Sequence, residues 1–180
     1  DQIYFTSGGS EADNQAILSA IQYGKRKNKK HIVSTTFEHH AVLHTLQKLE
    51  SQGYEVTYLD VHENGIIDLD ELESAIRDDT ALVTIMHANN EIGTIQPISE
   101  IGRICGEKKV LFHTDAVQTV GHLKVFPEEV GVDYLSASAH KFGGPKGIGF
   151  LYAKKKIPDY ATMIGECYMY TPMATFTTTE

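Results

Sequence analysis

A lysine that follows a run of small residues is the part of this sequence best suited to covalent chemistry. Ser136-Ala137-Ser138-Ala139-His140-Lys141 leads into Phe142-Gly143-Gly144-Pro145-Lys146-Gly147. Burial beside polar groups lowers a lysine's pKa, and the neutral amine can then act as nucleophile, base or Schiff-base former. The small side chains at 136–139 leave room for a planar group beside Lys141, whereas Lys146 reads as an ordinary turn lysine. A plain surface lysine at 141 is the competing reading. Asp115 follows Val110-Leu111-Phe112 closely, where its carboxylate can face the same ligand or cap a helix. Ser7-Gly8-Gly9-Ser10 joins a strand to a helix. Its glycines let a ligand approach the backbone, and the helix start offers free N–H groups for a phosphate. The simpler alternative is a glycine turn with Ser10 as a helix N-cap. Neither the Walker spacing nor G-x-G-x-x-G is present.

Histidines raise a different possibility. In Glu38-His39-His40-Ala41-Val42-Leu43-His44, His40 and His44 lie four residues apart, and Glu38 or His113 could complete a metal shell. The H-E-x-x-H order is missing and no cysteine pair supports a structural zinc, so no metal site is expected. His39, at a strand-to-helix junction, is better placed to stack on a ring. His31, His44, His62 and His122 read as ordinary core or surface residues. Cys105, between Ile104 and Gly106, reads as a buried structural thiol, and Cys167 lies in an unpatterned tail.

The elements that must position these groups alternate along the chain. Strands are predicted at 3–6, 31–37, 54–61, 81–87, 110–112, 133–139 and 147–153. Amphipathic helices are predicted at 11–27, 41–52 and 97–108, with another starting at a capping Asp68. This pattern gives an α/β fold, a mostly parallel sheet with helices on both faces. Five unusual clusters, 7–11, 38–40, 87–93, 113–118 and 136–149, fall beyond strand carboxyl ends, where such sheets bind ligands.

Composition narrows the function. The 180 residues carry 16 Lys+Arg against 24 Asp+Glu, a net charge of −8, and 41% are hydrophobic. That balance suits a folded domain and excludes a disordered segment, and no apolar run is long enough to span a bilayer. The acidic surface argues against broad nucleic-acid or membrane binding. Two cysteines make no disulfide framework, which fits a reducing, cytoplasmic setting. The lysine run at 25–30 reads as a solvated helix end. The chain opens at Asp1, directly before a strand, and reads as part of a longer protein.

The order of the motifs resembles a known family. Phe5-Thr6-Ser7-Gly8-Gly9-Ser10-Glu11, Glu38-His39-His40-Ala41-Val42 and Asn64-Gly65-Ile66-Ile67-Asp68 are followed by His87-Ala88-Asn89-Asn90-Glu91-Ile92-Gly93. His113-Thr114-Asp115-Ala116-Val117-Gln118 and residues 136–152 complete the set. Together they resemble the NifS/IscS-like cysteine desulfurases, pyridoxal phosphate (PLP) enzymes of the class V aminotransferase fold. The resemblance covers residues 1–157 and implies the large, PLP-binding domain of a fold type I transferase. It implies that Lys141 bonds the cofactor, Asp115 pairs with the ring nitrogen, and His39 stacks on the ring and assists proton transfer. Gln118 would bond the ring oxygen, Asn90 would lie beside ring and substrate, and Gly9, Ser10, Ser138 and His140 would hold the phosphate.

The implied reaction converts L-cysteine to alanine and an enzyme persulfide for iron–sulfur cluster or thio-cofactor assembly. A sulfur-acceptor or scaffold protein and a homodimer partner are implied with it. A class V relative such as selenocysteine lyase, or a binding-only PLP fragment, is the alternative. Residues 158–180 depart from the family's continuation, and the N-terminal segment and the small C-terminal domain that carries the family's nucleophilic cysteine are expected to be absent. The only arginines, Arg26, Arg77 and Arg103, fall on predicted helices away from the motifs. On this reading the chain binds PLP without completing sulfur transfer.

Overall fold

The computed structural model describes residues 2–155. Its strands are β1 (Ile3–Thr6), β2 (His31–Thr35), β3 (Glu55–Leu59), β4 (Thr80–Thr84), β5 (Leu111–Asp115), β6 (Tyr134–Ser138) and β7 (Gly149–Ala153). The helices are α1 (Gly9–Lys25), α2 (His40–Ser51), α3 (Leu69–Ala75), α4 (Ile98–Lys108) and the short α5 (Pro127–Val130). One sheet holds the strands in the order β1-β7-β6-β5-β4-β2-β3. The five strands from β6 to β3 are parallel, as the alternating pattern requires.

The edge departs from that pattern. β7 runs antiparallel to β6, and β1 antiparallel to β7. Only residues 139–148 join β6 to β7, with a 3-10 turn at Ala139–Phe142 and no crossover helix. A parallel return needs a connection of about a dozen residues or more, so this short one reverses the chain. Other differences are local. β5 extends to Asp115, α5 was not foreseen, and α3 stops at Ala75, leaving Arg77 in the following connection rather than on a helix.

Side chains alternate between two cores, because successive strand residues point to opposite faces. Val83, Ile85, Phe112 and Leu135 pack under Leu72, Ile101, Ile104 and Val130 of the helices on one face. Ile32 and Leu82 meet Ile17, Ile21, Val42, Leu46 and Leu49 of α1 and α2 on the other. Cys105 sits in the first core, 1% exposed. Asp68 caps α3, its Oδ1 accepting from the Asp70 and Glu71 N–H groups at 2.7 and 3.1 Å.

α1 is the unusual element. It is buried from Ala12 through Ile21, including Asp13, Asn14, Gln15 and Ser19. Small residues, Ala12 and Ala16, let it lie close against the end of β7. The other side is covered by α2, where Thr45 donates to the Asn14 side chain. Polar side chains are thereby carried into the middle of the molecule, directly beneath the strand ends.

Candidate active site

The carboxyl ends of β4, β5 and β6 and the starts of α1 and α2 surround one cavity of about 240 Å³. Gly9, Ser10, His39, Asn90, Asp115, Gln118, Ser138, His140 and Lys141 all line it, joined by Asp13, Met86 and Val117. The nine residues singled out from the sequence are therefore neighbours in space. Asp13, Met86 and Val117 were not singled out.

Each wall has a local cause. α1 starts at Gly9, with Gly8 as its N-cap and no side chain capping it. Its first N–H groups, which a helix leaves unpaired, therefore face the cavity without a side-chain acceptor on the cap residue. Ser10 is inside the first turn and not the N-cap; Gly8 takes that place. A Cβ on Gly9 would lie 2.6 Å from Val117 Cγ2, so only glycine lets the loop after β5 close on the helix start. Ser138, the last residue of β6, lies beside it and bonds His140 Nδ1 at 2.9 Å.

Asp115 ends β5 and is 5% exposed. Its Oδ1 accepts from the Val117 N–H at 2.9 Å, which shapes a turn and not a helix cap. Burial raises its pKa, against the Val117 N–H and the nearby His39 and Lys141, which favour the anion. His39 caps α2, with Nδ1 accepting from the Ala41 N–H at 3.1 Å. That bond leaves Nε2 to carry the proton of the neutral ring. Asn90 follows Asn89, whose Oδ1 accepts from the Glu91 and Ile92 N–H groups at 2.8 and 3.0 Å and builds the turn.

Lys141 does not have the burial expected of it. It lies exposed in the 3-10 turn beyond β6, because the chain leaves the sheet three residues earlier at Ser138. His122 Nε2 donates to its carbonyl at 2.7 Å and pins that turn, a role the sequence reading did not give His122. Among the described residues no three His, Cys, Asp or Glu side chains are grouped to hold an ion. His40 and His44 stack on each other with centroids 5.4 Å apart.

Several buried polar groups support the floor. His113 has Nδ1 2.8 Å from Thr84 Oγ1 and Nε2 2.9 Å from Ser136 Oγ, and burial lowers its pKa to about 3. His87 Nδ1 is 2.8 Å from Thr119 Oγ1, tying the end of β4 to the loop after β5. Glu38 is 5% exposed. Its Oε1 accepts from Thr35 Oγ1 at 2.7 Å and Met86 N–H at 2.9 Å, and Oε2 has no partner. Burial pushes the Glu38 pKa up to about 8, so it is neutral at pH 7. Sequence spacing gave no signal for Asp13, and it marked Glu38 only as part of the 38–40 cluster and as a possible metal ligand, not as a buried acid beneath the site.

Cys105 is remote from these groups. It lines a second cavity with Lys109 and Lys154 at the opposite ends of the strands, and burial pushes its thiol up to about 12. Cys167 and the divergent tail at 158–180 lie outside the described residues. Among the described residues no arginine lines the first cavity. Arg77 is held by Glu55 at 2.6 Å and Asp79 at 3.0 Å, and Arg103 by Glu107 at 2.7 Å.

A mostly parallel sheet covered on both faces, with a polar cavity at its carboxyl rim, defines the chain as an α/β protein that binds its ligand beyond the strand ends. The aminotransferase class-V family matches residues 1–167. The chain belongs to that family. It is 54% identical over 157 residues to the cysteine desulfurase IscS of Clostridium botulinum (strain Kyoto / Type A2), covering 87% of this chain and 39% of that protein. It is 55% identical over the same length to the IscS of Methanosarcina thermophila, again covering 87% and 39%. Among solved structures, a NifS-like protein matches with a TM-score of 0.82 at 37% identity, over 93% of this chain and 51% of that one. A structure described as SspA in complex with cysteine matches at 0.81 and 36%, over 94% and 55%. The chain thus spans about two-fifths of the length of these curated relatives.

The family and these relatives imply pyridoxal phosphate as cofactor. The donor set fits it. A phosphate needs N–H and hydroxyl donors, which the start of α1, Ser10 and Ser138 supply at a spot that a Cβ on Gly9 would crowd. A pyridine nitrogen needs a carboxylate and an aldehyde needs an amine; Asp115 and Lys141 line the same cavity.

Proposed function

We propose that this chain is the cofactor-binding part of a PLP-dependent cysteine desulfurase. The observation that carries the reading is that Lys141, Asp115 and the uncapped start of α1 converge on one cavity. When bound, PLP supplies an electron sink for charge developing at the substrate Cα. The protein's part is to place the reacting groups. Lys141 would hold the cofactor through its amine, and that same amine is placed to move the substrate Cα proton. An ionised Asp115 would keep the ring nitrogen protonated, His39 would cover the ring and offer its Nε2–H, and Gln118 would bond the ring oxygen. Gly9, Ser10, Ser138 and His140 would hold the phosphate, and Asn90 would lie beside ring and substrate.

In the full-length protein the substrate is L-cysteine. Its C–S bond breaks, its sulfur passes to an enzyme cysteine thiolate as a persulfide, and alanine leaves. The names of the relatives and the cysteine complex of one structural neighbour support this substrate. Cys105 is not that thiolate, since reaching substrate would mean unpacking Ile101 and Ile104. Exposing two such side chains costs about 3–6 kcal/mol, too much for each turnover. A sulfur-acceptor or scaffold protein, a homodimer and a cytoplasmic location belong to the same proposal. So does the division into a core at 1–157 and a divergent tail. Among the described residues no helix is long and apolar enough to cross a membrane.

The test is the absorption spectrum of the purified protein with PLP, before and after borohydride. A visible band that borohydride converts to a stable, non-dialysable chromophore is expected. A protein that leaves PLP free in solution would refute the reading.

A further inference from the structure

Three carboxylates are buried at or beneath the site, Asp13, Glu38 and Asp115, and among the described residues no lysine or arginine is buried with them. Like charges so close in a low-dielectric site cannot all ionise, so the protein must allocate the protons. Glu38, held by Thr35 and Met86, is neutral at pH 7, which leaves Asp13 and Asp115 to divide one negative charge.

Their surroundings differ. Asp115 has a backbone donor, Val117 N–H, and the nearby His39 and Lys141 side chains also favour its anion. Asp13 is 1% exposed and its Oδ1 has no hydrogen-bond partner. The nearest basic atom, His113 Nε2, stands 3.6 Å off and is already engaged by Ser136 Oγ at 2.9 Å. His113 is itself buried and uncharged at neutral pH, its Nδ1 taken by Thr84. A buried carboxylate anion with one oxygen left without a donor is strongly disfavoured, whereas a buried carboxylic acid loses far less.

We propose that Asp13 is a positioning residue that stays a neutral carboxylic acid beneath the cavity and so makes Asp115 the anion that meets the cofactor's ring nitrogen. Burial and the neighbouring Asp115 push Asp13 well above the usual carboxylate range, with the Ser136 hydroxyl opposing and Glu38 reinforcing the rise. Of the groups facing Asp13, Asp115 and His113 come from β5, Ser136 from β6 and Glu38 from the β2–α2 junction. None is a cation at neutral pH. The site then carries a single negative charge, matched to the single positive charge of a protonated ring nitrogen. Were Asp13 ionised instead, Asp115 would hold the proton and could no longer stabilise that nitrogen as a cation.

The inference deepens the cofactor reading and rests on it in one arm of the test only. In the first arm, full-length protein stripped of cofactor and labelled with carbon-13 at aspartate carboxyls is examined by infrared difference spectroscopy near pH 7. A protonated-carboxyl stretch is expected in the parent and in Asp115→Asn, and its loss is expected in Asp13→Asn. No such band in the parent, or a band lost in Asp115→Asn and kept in Asp13→Asn, would overturn the assignment. In the second arm, PLP affinity of Asp13→Asn is expected to stay within about threefold of the parent, because an amide replaces an acid that was already neutral. Removing an anion there would weaken binding about tenfold or more, and that result would also overturn it. Failure to bind PLP at all would count against the cofactor reading and leave the infrared arm to decide Asp13.

Discussion

Glu38 makes the stability of this fold depend on pH in a direction opposite to that of most carboxylates. Its side chain is buried, with Oε1 holding Thr35 and Met86 and Oε2 unpaired, and its pKa is pushed from an ordinary 4.5 up to about 8. Between those values the folded state keeps a proton that the unfolded chain releases. The contribution of Glu38 is therefore fully present below about pH 4.5 and is lost as pH rises through about 8. From pH 5 to pH 8 the loss amounts to about 3.5 kcal/mol, a large share of a typical folding free energy. Glu38→Gln stays neutral and keeps an oxygen to accept both hydrogen bonds. Chemical denaturation of parent and variant, free of cofactor, should show a gap that moves in favour of Glu38→Gln by about that amount between the two pH values. Groups common to both proteins cancel in the difference. A gap that stays constant across this range would refute a buried, proton-bearing Glu38.

Two other substitutions probe the site and the core. Gly9→Ala puts a methyl 2.6 Å from Val117 Cγ2 and should weaken PLP binding by about tenfold, by equilibrium titration, with Gly9→Ala/Val117→Ala recovering most of the loss. Cys105→Ala should lower stability by about 1 kcal/mol and leave alanine release from L-cysteine intact in the full-length protein, because a thiol pushed up to about 12 in a packed core is not the nucleophile.

Much of the site was legible because its chemistry is carried by short local patterns. Small residues before Lys141, the glycine turn before α1 and Asp115 at a strand end are all visible within a few residues of sequence. The alternation of strands and helices then places those patterns on one rim. What could not be read depends on three-dimensional surroundings. Asp13 looks like an ordinary acid in the sequence and Glu38 shows only as a member of a strand-end cluster; it is the packing of α1 under α2 and the closing of β2 on β4 that remove both from water. His122 reaches the Lys141 carbonyl from 19 residues away, a contact that no local spacing announces. The reversed edge strands follow from a connection too short for a crossover, and β7 is as apolar as a parallel strand, so its sequence does not reveal its direction. Lys141 itself was expected inside and lies outside, because the strand ends at Ser138 and the turn lifts the lysine to the rim.

The measurement closest to the central claim is the position of the borohydride-fixed label. Full-length protein is incubated with PLP, reduced, digested and mapped by mass spectrometry. A single phosphopyridoxyl group on Lys141, within the His140–Phe142 peptide, is the expected result. A label on Lys146, or on no lysine of this chain, would contradict it.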